Sequence, residues 1–116
     1  MMSKPDRLER IRFVAFTYFI PDGLLNEKEM WRLISQTCYQ LYGFQGAIDM
    51  GLFLAHLDKN RPLAIFRVSH TFLDAFYMIL SSIRQYNNQP IVVKSLKVSG
   101  TLKSLKGYLE NLKHSL

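Results

Sequence analysis

Residues 51–68 read GLFLAHLDKNRPLAIFRV. Two apolar runs, 51–58 and 63–68, flank the polar segment Lys59-Asn60-Arg61-Pro62, and this pattern predicts a β-hairpin. The segments on either side of that hairpin decide the fold. Upstream, Asn26 stands three residues before Glu29, the spacing of a capping box. Met30, Leu33, Ile34, Thr37, Cys38 and Leu41 then recur at three and four, one face of a helix expected to stop at Gly43. Downstream, Thr71 and Asp74 sit at cap positions of a helix expected over 71–86, with Phe72, Phe76, Ile79, Leu80 and Ile83 on one stripe and Asn87-Asn88-Gln89-Pro90 at its end. Farther out, 10–20 (RIRFVAFTYFI) reads as a strand closed by Pro21-Asp22-Gly23, and 91–98 as a fourth strand. Leu102, Leu105, Leu109, Leu112 and Leu116 step by 3, 4, 3, 4 along a final amphipathic helix, in which Gly107 is a slight weakness. The order β-α-β-β-α-β predicts an α+β fold: a two-layer ferredoxin-like or RNA-recognition-motif-like split βαβ sandwich, with an antiparallel sheet and an extra C-terminal helix.

A chain of 116 residues is one domain by length, read as a basic N-terminal tail over 1–9, a core over 10–99 and the C-terminal helix over 100–116. Its 48% hydrophobic and 21% charged residues exclude a disordered tail or a fibrous repeat. The net charge of +6 is uneven: residues 1–12 contribute +2, residues 13–89 balance to zero, and residues 90–116 carry five Lys against Glu110. Such an excess favours a polyanionic partner. A single cysteine, Cys38, cannot make an intrachain disulfide, which fits a reducing compartment. No signal-peptide or membrane-spanning run is present in the sequence, so no membrane partner is expected.

Catalytic patterns are missing. His56, His70 and His114 share no metal-ligand spacing, Cys38 lies on an apolar stripe, and no Gly-rich phosphate loop, H-E-x-x-H or G-x-S-x-G occurs. The residues 63–68 lack the glycine of the base-stacking strand of RNA-recognition motifs and hold one aromatic, so Phe66, with Phe13, Phe16 and Tyr18, is expected in or beside the core. A small-molecule-binding or acylphosphatase-like domain on the same fold is the alternative, but the loop at 21–26, where that chemistry wants an arginine over an anion, is acidic and has none.

Three segments carry a resemblance: Tyr42-Gly43-Phe44-Gln45-Gly46-Ala47, then Ala64-Ile65-Phe66-Arg67-Val68, then Leu96-Lys97-Val98-Ser99-Gly100-Thr101-Leu102-Lys103. In this order, from about Arg10 to about Lys106, the chain resembles ribonuclease P protein component 2 of archaea and its eukaryotic counterpart. The resemblance implies a non-catalytic subunit of the ribonucleoprotein that removes the 5′ leader of precursor tRNA. It implies no cofactor bound by the protein itself, the Mg²⁺ being used by the RNA subunit. Implied partners are ribonuclease P RNA, the barrel-like protein component 3 and other ribonuclease P proteins, with precursor tRNA as substrate of the complex and a homodimer within a heterotetramer as one assembly. It implies a cytoplasmic location in an archaeon and a nuclear or nucleolar one in a eukaryote.

The RNA is expected mainly at the C-terminal segment, on Lys94, Lys97, Lys103 and Lys106, with Ser99, Gly100 and Thr101 where the last helix begins. Arg61 at the hairpin turn, Arg67 on its second strand and Arg12 complete the candidates. The aromatic surplus that includes Phe19, Tyr39, Tyr42, Phe44, Phe53 and Tyr77, together with Tyr18 and Met50, exceeds what two helices on one sheet face readily hide, so an exposed interface is expected.

Overall fold

The computed structural model describes residues 10–115, with side chains described for residues 10–112. The expected basic tail over 1–9, the His114 side chain and the last leucine of the stripe, Leu116, lie outside the described residues. The chain runs β1 (Ile11–Phe19), α1 (Glu27–Met50), β2 (Phe53–Leu57), β3 (Leu63–Ser69), a 3₁₀ turn (His70–Phe72), α2 (Leu73–Ser82), β4 (Gln85–Tyr86), β5 (Gln89–Pro90), β6 (Val92–Ser99) and α3 (Leu102–Ser115). The main sheet has the order β2-β3-β1-β6 and every neighbouring pair is antiparallel, which is the split βαβ arrangement.

Strand β1 is the central organiser because its alternation serves both faces. Val14, Phe16 and Tyr18 point to one face, where they meet Ala64, Phe66 and Val68 of β3 beneath Met30, Ile34 and Cys38 of α1 and Phe76, Ile79 and Leu80 of α2. Phe66 is the hub of this layer: its ring stacks on Phe16 (6.0 Å between centroids) and Trp31 (6.2 Å) and tilts against Phe76 (5.8 Å). On the opposite face Ala15, Leu63 and Ile65 meet Leu105 and Leu109 of α3, with Phe13, Leu96, Leu102 and Leu112 partly buried around them. The leucine stripe therefore docks on its own domain, and the split βαβ sandwich gains a helical cover on its second face. Each fully buried leucine there contributes about 1.5–3 kcal/mol.

The capping box at α1 forms as the spacing requires: Asn26 Oδ1 accepts from the Glu29 N–H (2.8 Å) and Glu29 Oε1 from the Asn26 N–H (2.9 Å). The helix does not stop at Gly43. It kinks there, at φ 75° and ψ −176°, a conformation open essentially to glycine alone, and resumes helical geometry to Met50. Gly46 explains the next step of the same motif, since a Cβ there would sit 2.6 Å from Tyr42 Cβ. The helix expected over 71–86 is also shorter. Thr71 does not cap it; its hydroxyl lies 3.3 Å from Ser69 Oγ in the 3₁₀ turn, and α2 starts at Leu73 without a side-chain cap. Asp74 falls in the first turn of α2, where its charge complements the helix dipole. Beyond α2, Asn87 and Asn88 take positive φ and turn the small β4–β5 hairpin, so that residues 85–86 are a strand and not the last turn of the expected helix. Gln89 Nε2 of that hairpin donates to Asp22 Oδ2.

One irregularity bears on the site. The β1–β6 register shifts between Ala15 and Phe16, leaving Leu96 as an extra residue on β6. Lys97 lies opposite Ala15, and Leu96 packs in the α3-side cluster, so two successive side chains share one face.

Candidate nucleic-acid interface

Helix α3 crosses the second sheet face on a diagonal. It begins beside Ser99, which lies opposite Phe13, and Leu109, about halfway along it, gives its carbonyl to Arg61 Nη1 (3.0 Å) at the β2–β3 turn. This divides the candidate residues into groups. At the start of the helix, Ser99 Oγ accepts from the Thr101 N–H (3.2 Å) and Thr101 Oγ1 accepts from the Ser104 N–H (3.3 Å), so both hydroxyls cap the chain's own amides. Gly100 adjoins Arg12: a Cβ on it would stand 3.9 Å from Arg12 Nη1, which donates to the Ile11 carbonyl.

On the β6 flank, Lys97 places its ammonium 5.3 Å from the centroid of Tyr108, and Lys94 is opposite Thr17 on the same face. On the β2 flank, Lys106 faces His56. Burial first, then the Lys106 charge, lowers the His56 pKa from its usual value, with Asp58 opposing and Arg61 adding. Lys103 is exposed on α3 one turn before Lys106. No described carboxylate lies within ion-pair distance of Lys94, Lys97, Lys103 or Lys106; the ion pair among the described residues is Arg61–Asp58.

Two arginines have opposite fates. Arg61 spends its guanidinium internally, with Nε and Nη2 on Asp58 Oδ2 (3.2 and 3.0 Å) and Nη1 on the Leu109 carbonyl. Burial opposes the Asp58 charge, but the Asn60 N–H, the Arg61 side chain and the Arg61 N–H outweigh it and hold the carboxyl below its usual range. Arg67 has no such anchor: its Cζ stands 5.4 Å from the Phe53 ring centroid, and its buried Nε meets no acceptor. The structure thus brings the terminal lysines around α3 and retires Arg61 to a clamp. Tyr108, His56 and Phe53 join the site unannounced. Tyr108 could have been read from its place three residues after Leu105 on the flank of the stripe, whereas the strand pairing that sets Phe53 beside Arg67 is a long-range fact.

Among the described residues no three His, Cys, Asp or Glu side chains gather as a metal-binding group, and no helix is long and apolar enough to cross a membrane. Cys38 is buried with its Sγ 3.9 Å from Met50 Sδ, and burial pushes its thiol pKa up, the reverse of nucleophile activation. In the loop before α1, the Leu25 N–H donates to the Tyr18 hydroxyl (3.0 Å) and Asn26 closes the capping box, so these groups are engaged within the chain.

Fold and site define a class: a ferredoxin-like domain whose second sheet face is closed by a basic helix, with Lys94, Lys97, Lys103 and Lys106 beside it and no described carboxylate within ion-pair distance of these four. Within that class the chain belongs to the Rpp14/Pop5 family, whose sequence model matches residues 12–110. Ribonuclease P protein component 2 of Pyrococcus horikoshii is 26% identical over 102 residues, covering 88% of this chain and 84% of that protein. The protein of the same name from Methanocaldococcus jannaschii is 29% identical over 102 residues, covering 88% and 74%. A chain in the cryo-EM structure of yeast ribonuclease MRP superposes with a TM-score of 0.63 at 18% identity, covering 91% of this chain and 93% of that one, a likeness of fold.

Proposed function

We propose that this chain is a non-catalytic protein subunit of a ribonuclease P ribonucleoprotein, acting with its RNA and other proteins to remove the 5′ leader of precursor tRNA. The observation that carries the reading is the family match across residues 12–110, spanning β1 through most of α3. The cationic second face supports it, because lysines without paired acids are what a phosphate backbone neutralises. Hydrolysis belongs to the RNA and its Mg²⁺, with no cofactor held by the protein. Lys94, Lys97, Lys103 and Lys106 are the main phosphate contacts in this reading, with Gly100 and Arg12 at the start of α3.

The protein partner, of the barrel-like component 3 type, docks on the other side of the molecule. There Tyr39 and Phe44 meet edge to face across the kink (6.2 Å), and with Ile48 they line a groove of about 350 Å³; Phe44 is 66% exposed. A homodimer inside a heterotetramer is compatible with the same surface. The cytoplasm is the location if the source is archaeal, the nucleus or nucleolus if eukaryotic.

Reconstitution tests the function. Adding the chain to the RNA subunit and the remaining proteins is expected to raise precursor tRNA cleavage at low Mg²⁺, and the RNA-free chain to cleave nothing; cleavage by the RNA-free chain would overturn the reading. Changing Lys97, Lys103 and Lys106 together to Ala is expected to flatten the plot of log affinity against log salt by about two to three units. An unchanged slope in the folded variant would move the RNA surface elsewhere.

A further inference from the structure

The diagonal path of α3 leaves one corner of the second face open on the β2 side. Register aligns Phe53 of β2, Arg67 of β3 and Phe13 of β1 in a single row, continued on β6 by Ser99. Cross-strand partners share a face, and Phe13 packs in the α3-side cluster, so the row belongs to that face. Phe53 opens the edge strand β2 and stands at the end of this row, where it is 56% exposed. Arg67 lies against its ring, and no carboxylate among the described residues pairs with it. The Arg67 Nε, buried without an acceptor, marks a guanidinium held by an aromatic ring instead of by the internal bonds that Arg61 makes. An unsatisfied buried donor in a native fold calls for a reason.

An exposed ring beside an uncommitted guanidinium has a specific chemistry. The ring offers a face to a flat π-system, and the planar fork of donors matches a phosphate. An apolar protein segment would cover Phe53 but leave the arginine donors unmatched. A continuous RNA duplex would meet the arginine through its phosphates but keeps its bases stacked within the helix, out of reach of Phe53. A single unpaired nucleotide satisfies both groups at once, and Lys106, on the neighbouring flank of α3 by His56, adds a second cation for the adjoining backbone.

We infer that the Phe53–Arg67 row is a seat for one unpaired RNA nucleotide, its base on the Phe53 ring and its phosphate on the Arg67 guanidinium. The inference rests on the RNA-binding reading given above and adds to it the single-stranded character of one contact.

The test uses the full chain with two probes, a short single-stranded oligoadenylate and a hairpin duplex of matching length. Phe53→Ala is expected to weaken oligoadenylate binding by about 5- to 150-fold while leaving duplex affinity unchanged, and Phe53→Tyr to retain binding. Arg67→Gln is expected to reduce the salt slope for oligoadenylate by about 0.7. An oligonucleotide bearing 5-iodouridine is expected to photocrosslink within the peptide that contains Phe53, a readout that does not depend on a variant folding. If Phe53→Ala leaves oligoadenylate affinity intact and the crosslink falls elsewhere, while the triple lysine variant still loses RNA affinity, the seat is wrong and the RNA-binding reading survives. If the unaltered chain binds neither probe, both fall. If Phe53→Ala spares RNA binding but abolishes capture of an acidic protein subunit, the row is a protein contact and the inference is overturned.

Discussion

The two faces of the main sheet are built from the same strands with opposite materials. Toward α1 and α2, β1 and β3 contribute Phe16, Tyr18 and Phe66, rings large enough to interlock with Trp31 and Phe76. Toward α3 the same strands contribute Ala15, Leu63 and Ile65, and cations stand around the rim. Large rings fill the space between two helices and a sheet, while small side chains let a single helix lie close to the strands. The first face stores the stability; the second buries a narrow seam and leaves its margins free for charge.

The comparison breaks first at its strongest point. Phe66→Ala removes the ring shared by three aromatic neighbours, and urea unfolding is expected to show a loss of about 3–5 kcal/mol. A loss below about 1 kcal/mol would deny the aromatic hub its role. Leu105→Ala on the other face is expected to cost about 2–3 kcal/mol, the low end for a buried leucine because α3 can settle toward the sheet. A loss equal to that of Phe66→Ala would make the faces energetic equals. Arg61→Ala cuts the tie between the β2–β3 turn and the Leu109 carbonyl; with Arg61 25% exposed, about 1 kcal/mol is expected. Because the Asp58 carboxyl is held low in the folded chain, its contribution is present above the ordinary carboxylate pKa of about 3.9 and fades as pH falls through the lower folded value. The variant should therefore lose less stability than the parent on acidification in that range, as read from thermal melts.

The smallest expected effect belongs to His56. Its folded pKa is lowered, so the unfolded chain binds more protons near neutrality and stability rises with pH, complete above about 6.5 and declining below it. His56→Gln should narrow the difference in melting temperature between pH 7.5 and pH 5.5. An undiminished difference would remove His56 from the buried margin of the second face.

The order of the four main-sheet strands and three helices, the capping box, the docking of the leucine stripe and the burial of Cys38 were legible, because each rests on local periodicity or local hydrogen bonding. The kink was half legible. Gly43 signals a break, but whether the chain then wanders or resumes a helix depends on Gly46 fitting against Tyr42, a contact created by the break itself. The β4–β5 hairpin escaped because Asn87 and Asn88 read equally well as a helix end. Tyr18 and Met50, counted with the aromatic surplus, are buried, whereas Phe19, Tyr39, Tyr42, Phe44 and Phe53 are exposed. Nothing local separates the two sets. In the site, the charge at the C-terminal segment was plain, but the division of labour between Arg61 and Arg67 was not, since it turns on Asp58 and Leu109 reaching the one and Phe53 lying beside the other.

The extra residue at Leu96 makes β6 a strand with a phase break. Val93 and Val98 both face the α1–α2 side, opposite Tyr18 and Val14, although they are five positions apart and strict alternation would set them on opposite sides. The strand thus carries two frames joined at one position. Losing Leu96 alone would merge the frames into one regular strand that keeps Val93 and Val98 on one face and Lys94 and Lys97 on the other, whereas losing a further residue would exchange valines for lysines along half its length. Homologous chains that keep both a valine core and a lysine rim are therefore expected either to carry this one extra residue or to lack it.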